Sequence, residues 1–175
     1  VGPVRTGKST FIKRFMDLLV LPNITDEHDR KRTQDELPQS ASGTMIMTTE
    51  PKFIPKDAAQ LKLGEDVNIK VRLIDCVGFM VDGAIGHIEH DVERQVKTQK
   101  VIRDHSTIGL VVTTDGSIGE IPRQNYVAAE EQTIQELKSI GKPFLIVLNC
   151  KKPYSEEAQG LKQELEKKYK TTVIT

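Results

Sequence analysis

Residues Gly2 to Thr10 read GPVRTGKST, and the spacing GxxxxGKS is that of a phosphate-binding loop. A polyphosphate calls for a concave run of backbone N–H groups, which closely spaced glycines allow the chain to form. A helix behind the loop adds the positive end of its dipole. In this reading Lys8 reaches the outer phosphates and the Ser9 hydroxyl ligates Mg²⁺. The nucleotide-binding candidates are Gly2, Arg5, Thr6, Gly7, Lys8, Ser9 and Thr10. A chance glycine-lysine turn is the alternative, and the following residues speak against it. Phe11, Phe15, Leu18 and Leu19 fall on one helical face, and Pro22 ends the pattern. Such loops follow a buried strand, yet only Val1 precedes Gly2, so the first strand is expected to be missing.

Three further stretches carry matching chemistry. In RLIDCVGF, Asp75 closes an apolar strand and Gly78 completes DxxG. A carboxylate there holds the Mg²⁺ shell, and the Gly78 amide can meet a γ-phosphate. In TMIMTTEPKF, Thr48 and Thr49 lie between the loop and DxxG, where a threonine would contact Mg²⁺ and the γ-phosphate in the triphosphate state. Their other reading is as ordinary strand residues, where threonine is at home. At the end of FLIVLNC, a guanine reader would show NKxD, but the chain has Asn149-Cys150-Lys151-Lys152. An ammonium only donates, so Lys152 cannot replace the aspartate that accepts from the guanine edge. Leaving those groups unsatisfied costs about 1–3 kcal/mol, which makes ATP the expected nucleotide, with Asn149 among its contacts.

After DxxG, Ras-like enzymes place a glutamine that orients water; here Phe79 and Met80 follow, so hydrolysis is expected to be slow. Arg5 and Arg123 are candidates to help in cis, each with a solvated surface arginine as the plainer reading. His87, Glu89, His90 and Asp91 have metal-like spacing, but such a cluster is more often a solvated loop or helix start.

The elements that must position these residues follow from periodicity. The polar stretch after the first helix allows an exposed helix over Asp26 to Leu37. Leu61 and Leu63, then Val67, Ile69, Val71 and Leu73, alternate about a turn at 64–66, predicting a hairpin. TIGLVVTTD and KPFLIVLNC are continuous apolar runs, as strands of a parallel sheet covered on both faces require. Between them Pro122 opens a helix whose face is Tyr126, Ala129, Ile134 and Leu137, and Gly141 stops it. A last helix and the strand TTVIT follow. This order predicts an α/β fold, a P-loop NTPase of GTPase-like, doubly wound kind, its sheet mostly parallel with one antiparallel strand. Ligands of such sheets bind beyond the carboxyl ends of the strands, which is where the motifs fall.

Composition excludes several classes. With 25 Lys plus Arg against 25 Asp plus Glu, no basic field exists to hold nucleic acid. No apolar run approaches the ~20 residues of a spanning helix. Cys76 and Cys150 form no CxxC pair and read as reduced and partly buried, hence a cytoplasmic protein. The length fits one domain, 1–175.

Beyond these motifs, GPVRTGKSTFIKRFMDLLVLPNI, DELPQSASG, IMTTEPKFIP, RLIDCVGF, DHSTIGLVVTTDGSIGEIPR and GKPFLIVLNCKKPY closely resemble the stage IV sporulation protein A family, coat morphogenetic ATPases of endospore-forming bacteria. The resemblance implies an ATPase that uses ATP and Mg²⁺ and polymerises into a basement layer of the spore coat. It implies location in the mother cell on the forespore surface, a small amphipathic membrane-anchoring peptide and spore coat proteins as partners, and further C-terminal domains. It makes Lys8 the phosphate lysine, Asp75 the metal-site aspartate, and Thr48 and Thr49 the sensor threonines, Thr49 also at the metal. It also implies a longer segment before TQKVIRDHS, so that either this homologue is shorter or residues are missing at about Lys97–Thr98, where a break is then expected, and a chain ending short of its closing helix. A GTP-dependent switch that builds no polymer is the alternative function.

Overall fold

The computed structural model describes residues 1–38, 50–64, 66–84 and 91–175, without the side chains of 63 and 91–95. It divides into two compact units, one of 1–7, 44–50 and 77–175, the other of 8–43 and 51–76. The strands form a mixed α/β arrangement: a parallel sheet of three and an antiparallel pair.

The second unit is built on helix α1 (Lys8–Phe15), helix α2 (Glu27–Asp35) and the hairpin β1 (Lys52–Leu63) and β2 (Val67–Asp75). Asp26 caps α2 by accepting from the Asp29 amide at 2.8 Å. The hairpin has the expected register, Leu61 opposite Ile69 and Leu63 opposite Val67. Its core is Ile12, Met16, Val20, Leu21 and Ile24 against Ile54, Ala59 and Leu61. This corrects the expected helical face. Leu18 and Leu19 are 70% and 53% exposed, because Met16–Val20 closes as a π-helical turn. That i→i+5 turn rotates the buried stripe onto Ile12, Met16 and Val20, with Phe11 and Phe15 at its margin. Val67 and Ile69 are exposed as well, since the outer end of the hairpin runs past the helices that cover its base.

The first unit carries helix α3 (Asp91–His105), strand β3 (Gly109–Thr114), helix α4 (Arg123–Ser139), strand β4 (Phe144–Asn149), helix α5 (Glu156–Tyr169) and strand β5 (Val173–Ile174). β3 pairs with β4 from Gly109–Phe144 to Thr114–Asn149, and β4 pairs with β5, all parallel. The apolar runs are buried as predicted: Val111 and Ile146 have no exposure and Leu148 has 1%. The α4 face also holds, with Tyr126, Ala129, Ile134 and Leu137 all buried. α3 passes through Lys97 and Thr98 without the expected break.

Val1 to Val4 extend the strand pattern of this unit. Val1 donates to the Leu110 carbonyl at 2.9 Å and accepts from the Val112 amide at 2.9 Å. On the other side the Phe79 amide donates to the Gly2 carbonyl at 3.3 Å, and the Phe79 carbonyl accepts from the Val4 amide at 2.8 Å. These residues therefore run parallel to β3 and deliver the glycine-rich loop at its carboxyl end.

Candidate nucleotide site

The loop is held open from within. Gly2 has φ +134° and backs directly onto the Val112 carbonyl, leaving no room for a Cβ. The buried Thr6 hydroxyl donates to the Pro3 carbonyl at 3.0 Å. Asn149, last residue of β4, donates from Nδ2 to the Thr6 carbonyl at 3.0 Å. Gly7 has φ +87°, and a Cβ there would stand 2.5 Å from Asn149 Nδ2. Asn149 thus braces the loop from its flank. Arg5 takes a left-handed φ of 61°, a conformation that costs a non-glycine residue about 1–2 kcal/mol. Its guanidinium lies near Tyr126, where its charge opposes the upward pKa shift that burial gives the phenol.

In the second unit α1 begins at Lys8, the residue that follows Gly7 in the chain. Ser9 donates from Oγ to Asp75 Oδ2 at 2.7 Å, across 66 residues of sequence. Asp75 is 3% exposed and ends β2. Lys8 is partly buried, and desolvation lowers its pKa to about 8, opposed by the charges of Asp75 and Cys76. Cys76 is buried, and desolvation pushes its thiol pKa up. Cys150 is half-buried, and both cysteines are free thiols, as the sequence suggested. Thr10 is exposed and Gly78 buried.

The pair Ser9 and Asp75 fits a magnesium ion: a hydroxyl and a carboxylate oxygen already in contact are the hard ligands Mg²⁺ takes. Among the described residues no cluster of three or more His, Cys, Asp or Glu could hold a metal ion. His87, Glu89 and His90, and the side chain of Asp91, lie outside the described residues, as do Thr48 and Thr49.

In the first unit the structure settles the surroundings of Phe79 and changes the expectation for Arg123. Phe79, at the glutamine position, points into a core of Val4, Val81, Ile121, Tyr126 and Ala129. It is a packing residue. Arg123 is neither a solvated arginine nor poised at the loop. Its Nη1 lies 2.7 Å from Glu130 Oε2, its Nη2 donates to Glu130 Oε1 at 2.9 Å, and its Nη1 donates to Thr113 Oγ1 at 3.2 Å. Glu130, with no exposure, also accepts from Tyr169 Oη at 2.8 Å and Thr113 Oγ1 at 2.6 Å. Burial, and after it the neighbouring Glu130 carboxylate, raises the pKa of Tyr169 well above its ordinary value.

Sequence reasoning missed a second polar cluster, at the carboxyl ends of β3 and β4. Asp115 Oδ1 accepts from the Ser117 amide at 2.8 Å and from Ser117 Oγ at 2.6 Å. Ser117 Oγ accepts in turn from the Lys151 amide at 2.9 Å. Lys152 is exposed, and its carbonyl accepts from the Ser155 amide at 3.1 Å, closing the turn before α5.

The sequence matches the family profile described as Stage IV sporulation protein A, ATPase domain, over residues 1–99 and 95–175. It is similar to stage IV sporulation protein A of Clostridioides difficile (strain 630), 51% identical over 191 residues. The proteins of the same description from Bacillus anthracis and Bacillus subtilis (strain 168) are each 49% identical over 191 residues. Each alignment covers 99% of this chain and 39% of the relative, so the chain spans about two fifths of the length of the curated relatives it matches. Each alignment is longer than the 175 residues of the chain, so the relatives carry residues that it lacks; the two stretches of profile match meet at 95–99. No solved structure matches.

Proposed function

The chain belongs to the stage IV sporulation protein A family, matching its ATPase domain, and on that premise we propose that it binds ATP with Mg²⁺ and hydrolyses it, on a P-loop NTPase fold of the doubly wound, GTPase-like kind spanning 1–175. The observation that carries this reading is the 2.7 Å contact between Ser9 Oγ and Asp75 Oδ2. Two residues far apart in sequence, each expected at a magnesium shell for its own reason, meet.

Each group then has a role. Lys8 and the amides of Gly2 to Thr10 hold the outer phosphates; Ser9 and Asp75 hold Mg²⁺; Thr49 adds a metal contact in the triphosphate state. Gly78 meets the γ-phosphate through its amide, and Thr48 senses the same group. Bound Mg²⁺-ATP supplies the electrophilic phosphorus and neutralises charge on the phosphate oxygens. With Phe79 committed to the core, no side chain follows DxxG to orient water, and turnover is slow. The purine is adenine because Lys152 has only donors.

In the whole protein this cycle drives polymerisation with further copies into the basement layer of the spore coat. A small amphipathic membrane-anchoring peptide and spore coat proteins are the partners, on the forespore surface of the mother cell. Among the described residues no helix is long and apolar enough to cross a membrane.

Equilibrium binding with ATP and GTP, with Mg²⁺ or with a chelator, tests the nucleotide. ATP should win by at least ~10-fold, about 1.4 kcal/mol, and lose affinity on chelation. Lys8→Ala should abolish most binding, since the charge facing the phosphates is gone. Preference for GTP, or wild-type affinity in Lys8→Ala, would sink the assignment.

A further inference from the structure

If Lys152 cannot accept a hydrogen bond from a purine's amino group, some other group must, and the parallel register shows where to look. Thr114 stands opposite Asn149 across β3 and β4. The next residues, Asp115 and Cys150, therefore leave the sheet side by side, on strands about 4.8 Å apart. Burial, and after it the negative charge of Asp115, raises the thiol pKa of Cys150. Asn149 is docked on the loop through Thr6 and Gly7. A nucleotide whose phosphates lie along that loop must send its base past Asn149, toward the loops that follow the two strands.

Asp115 is prepared for a ligand in one respect. Both hydrogen bonds from Ser117 arrive at Oδ1, and among the described residues Oδ2 takes none. Ser117 is itself held by the Lys151 amide at 2.9 Å, so the carboxylate is fixed relative to the segment that carries Lys152. A half-buried carboxylate accepts hydrogen bonds and donates none. Facing position 6 of a purine, it attracts the amino group of adenine and repels the oxo group of guanine. Selection of one base and rejection of the other come from the same atom.

We propose that Asp115 is the base-reading acid of this domain, Oδ2 accepting a hydrogen bond from the 6-amino group of adenine. This rests on the nucleotide reading above and assigns the specificity that Lys152 leaves open. The carboxylate has moved from the end of β4 to the end of its neighbour β3.

The test is competition of unlabelled nucleotides against a fluorescent ATP analogue on the full-length protein, read as binding and not turnover. ITP is the informative probe, because it has the 6-oxo group of guanine without the 2-amino group. Wild type should bind ITP as weakly as GTP, at least about tenfold below ATP. Asp115→Asn can turn either amide atom to the base, so ATP should weaken, ITP should strengthen, and their ratio should fall below about threefold. Ser117→Ala keeps the carboxylate and removes one of its braces, and should retain most of the ATP-to-ITP ratio. Equal wild-type affinity for ATP and ITP overturns the assignment whether or not any variant folds. Asp115→Asn that weakens ATP and ITP alike overturns it too, leaving a loop-shaping role. A wild-type protein that binds none of the nucleotides refutes the nucleotide reading itself, and is told apart by the absence of any competition.

Discussion

Lys8 concentrates the chemistry of the residue scale. Desolvation takes its pKa from 10.5 to about 8, against the opposing charges of Asp75 and Cys76. A buried ammonium loses more hydration than these neighbours restore. Phosphates draw on the charged form, so ATP affinity is expected to be flat below pH 8 and to fall toward tenfold per pH unit above it. Bound phosphates stabilise the ammonium, so binding between pH 8 and 9 should take up a proton. Titration calorimetry in two buffers of different ionisation enthalpy reads that proton directly. Folding stability has the opposite sign. The folded pKa lies below the unfolded one, the unfolded chain holds more protons between pH 8 and 10.5, and the contribution of Lys8 to stability rises with pH across that window. Affinity that stays level to pH 9.5 without proton uptake would mean that another cation faces the phosphates.

Among the elements, α4 carries a buried charge. Its buried face includes Glu130 and Thr133 beside Tyr126, Ala129, Ile134 and Leu137, and Glu130 ties α4 to β3 through Thr113 and to α5 through Tyr169. Glu130→Ala leaves the Arg123 cation, only 20% exposed at its side chain, without its carboxylate. The expected loss is about 3–5 kcal/mol, seen as a lower denaturant midpoint at unchanged slope. Tyr169→Phe removes a single hydrogen bond to a charged group and should cost less, about 1.5–3 kcal/mol. A Glu130→Ala protein as stable as wild type would mean that the network is solvated. The spacing of Glu130 with Tyr126, Thr133 and Leu137 was a readable sign of burial. An arginine at a helix start nevertheless reads as solvated, because nothing local reveals a partner two turns on. β3 and β4 were legible because short continuous apolar runs such as GLVV and FLIVL have few other uses. The stripe on the first helix was not, since Phe11, Phe15, Leu18 and Leu19 make as good a face as Ile12, Met16 and Val20 until one π-helical turn decides between them. The site divides in the same way. Lys8, Ser9 and Asp75 announce themselves through motif chemistry, whereas Asp115 becomes a candidate only once the Thr114–Asn149 register sets it beside Cys150.

At the scale of the whole molecule, equal numbers of basic and acidic residues, 25 each, put no long-range self-repulsion in the way of assembly. In the assembly proposed above, the nucleotide is the proposed gate. Thr48 and Thr49 are the residues proposed to couple the two. Their hydroxyls can bond the γ-phosphate or the metal before cleavage and lose that contact afterwards, which is how a triphosphate orders a switch segment. The double variant Thr48→Ala, Thr49→Ala should bind ATP within severalfold of wild type, because Lys8 and the loop amides make most of the ground-state contacts. Hydrolysis should fall much further, by roughly 10²-fold or more if a transition-state contact is lost. If assembly follows hydrolysis, the full-length double variant should bind ATP and stay in the supernatant on sedimentation, while wild type pellets with time. A variant that hydrolyses normally removes the sensor role from these threonines. One that cannot hydrolyse and still pellets leaves the ATPase in place but cuts its link to the polymer, and assembly would then have to be driven by ATP binding alone.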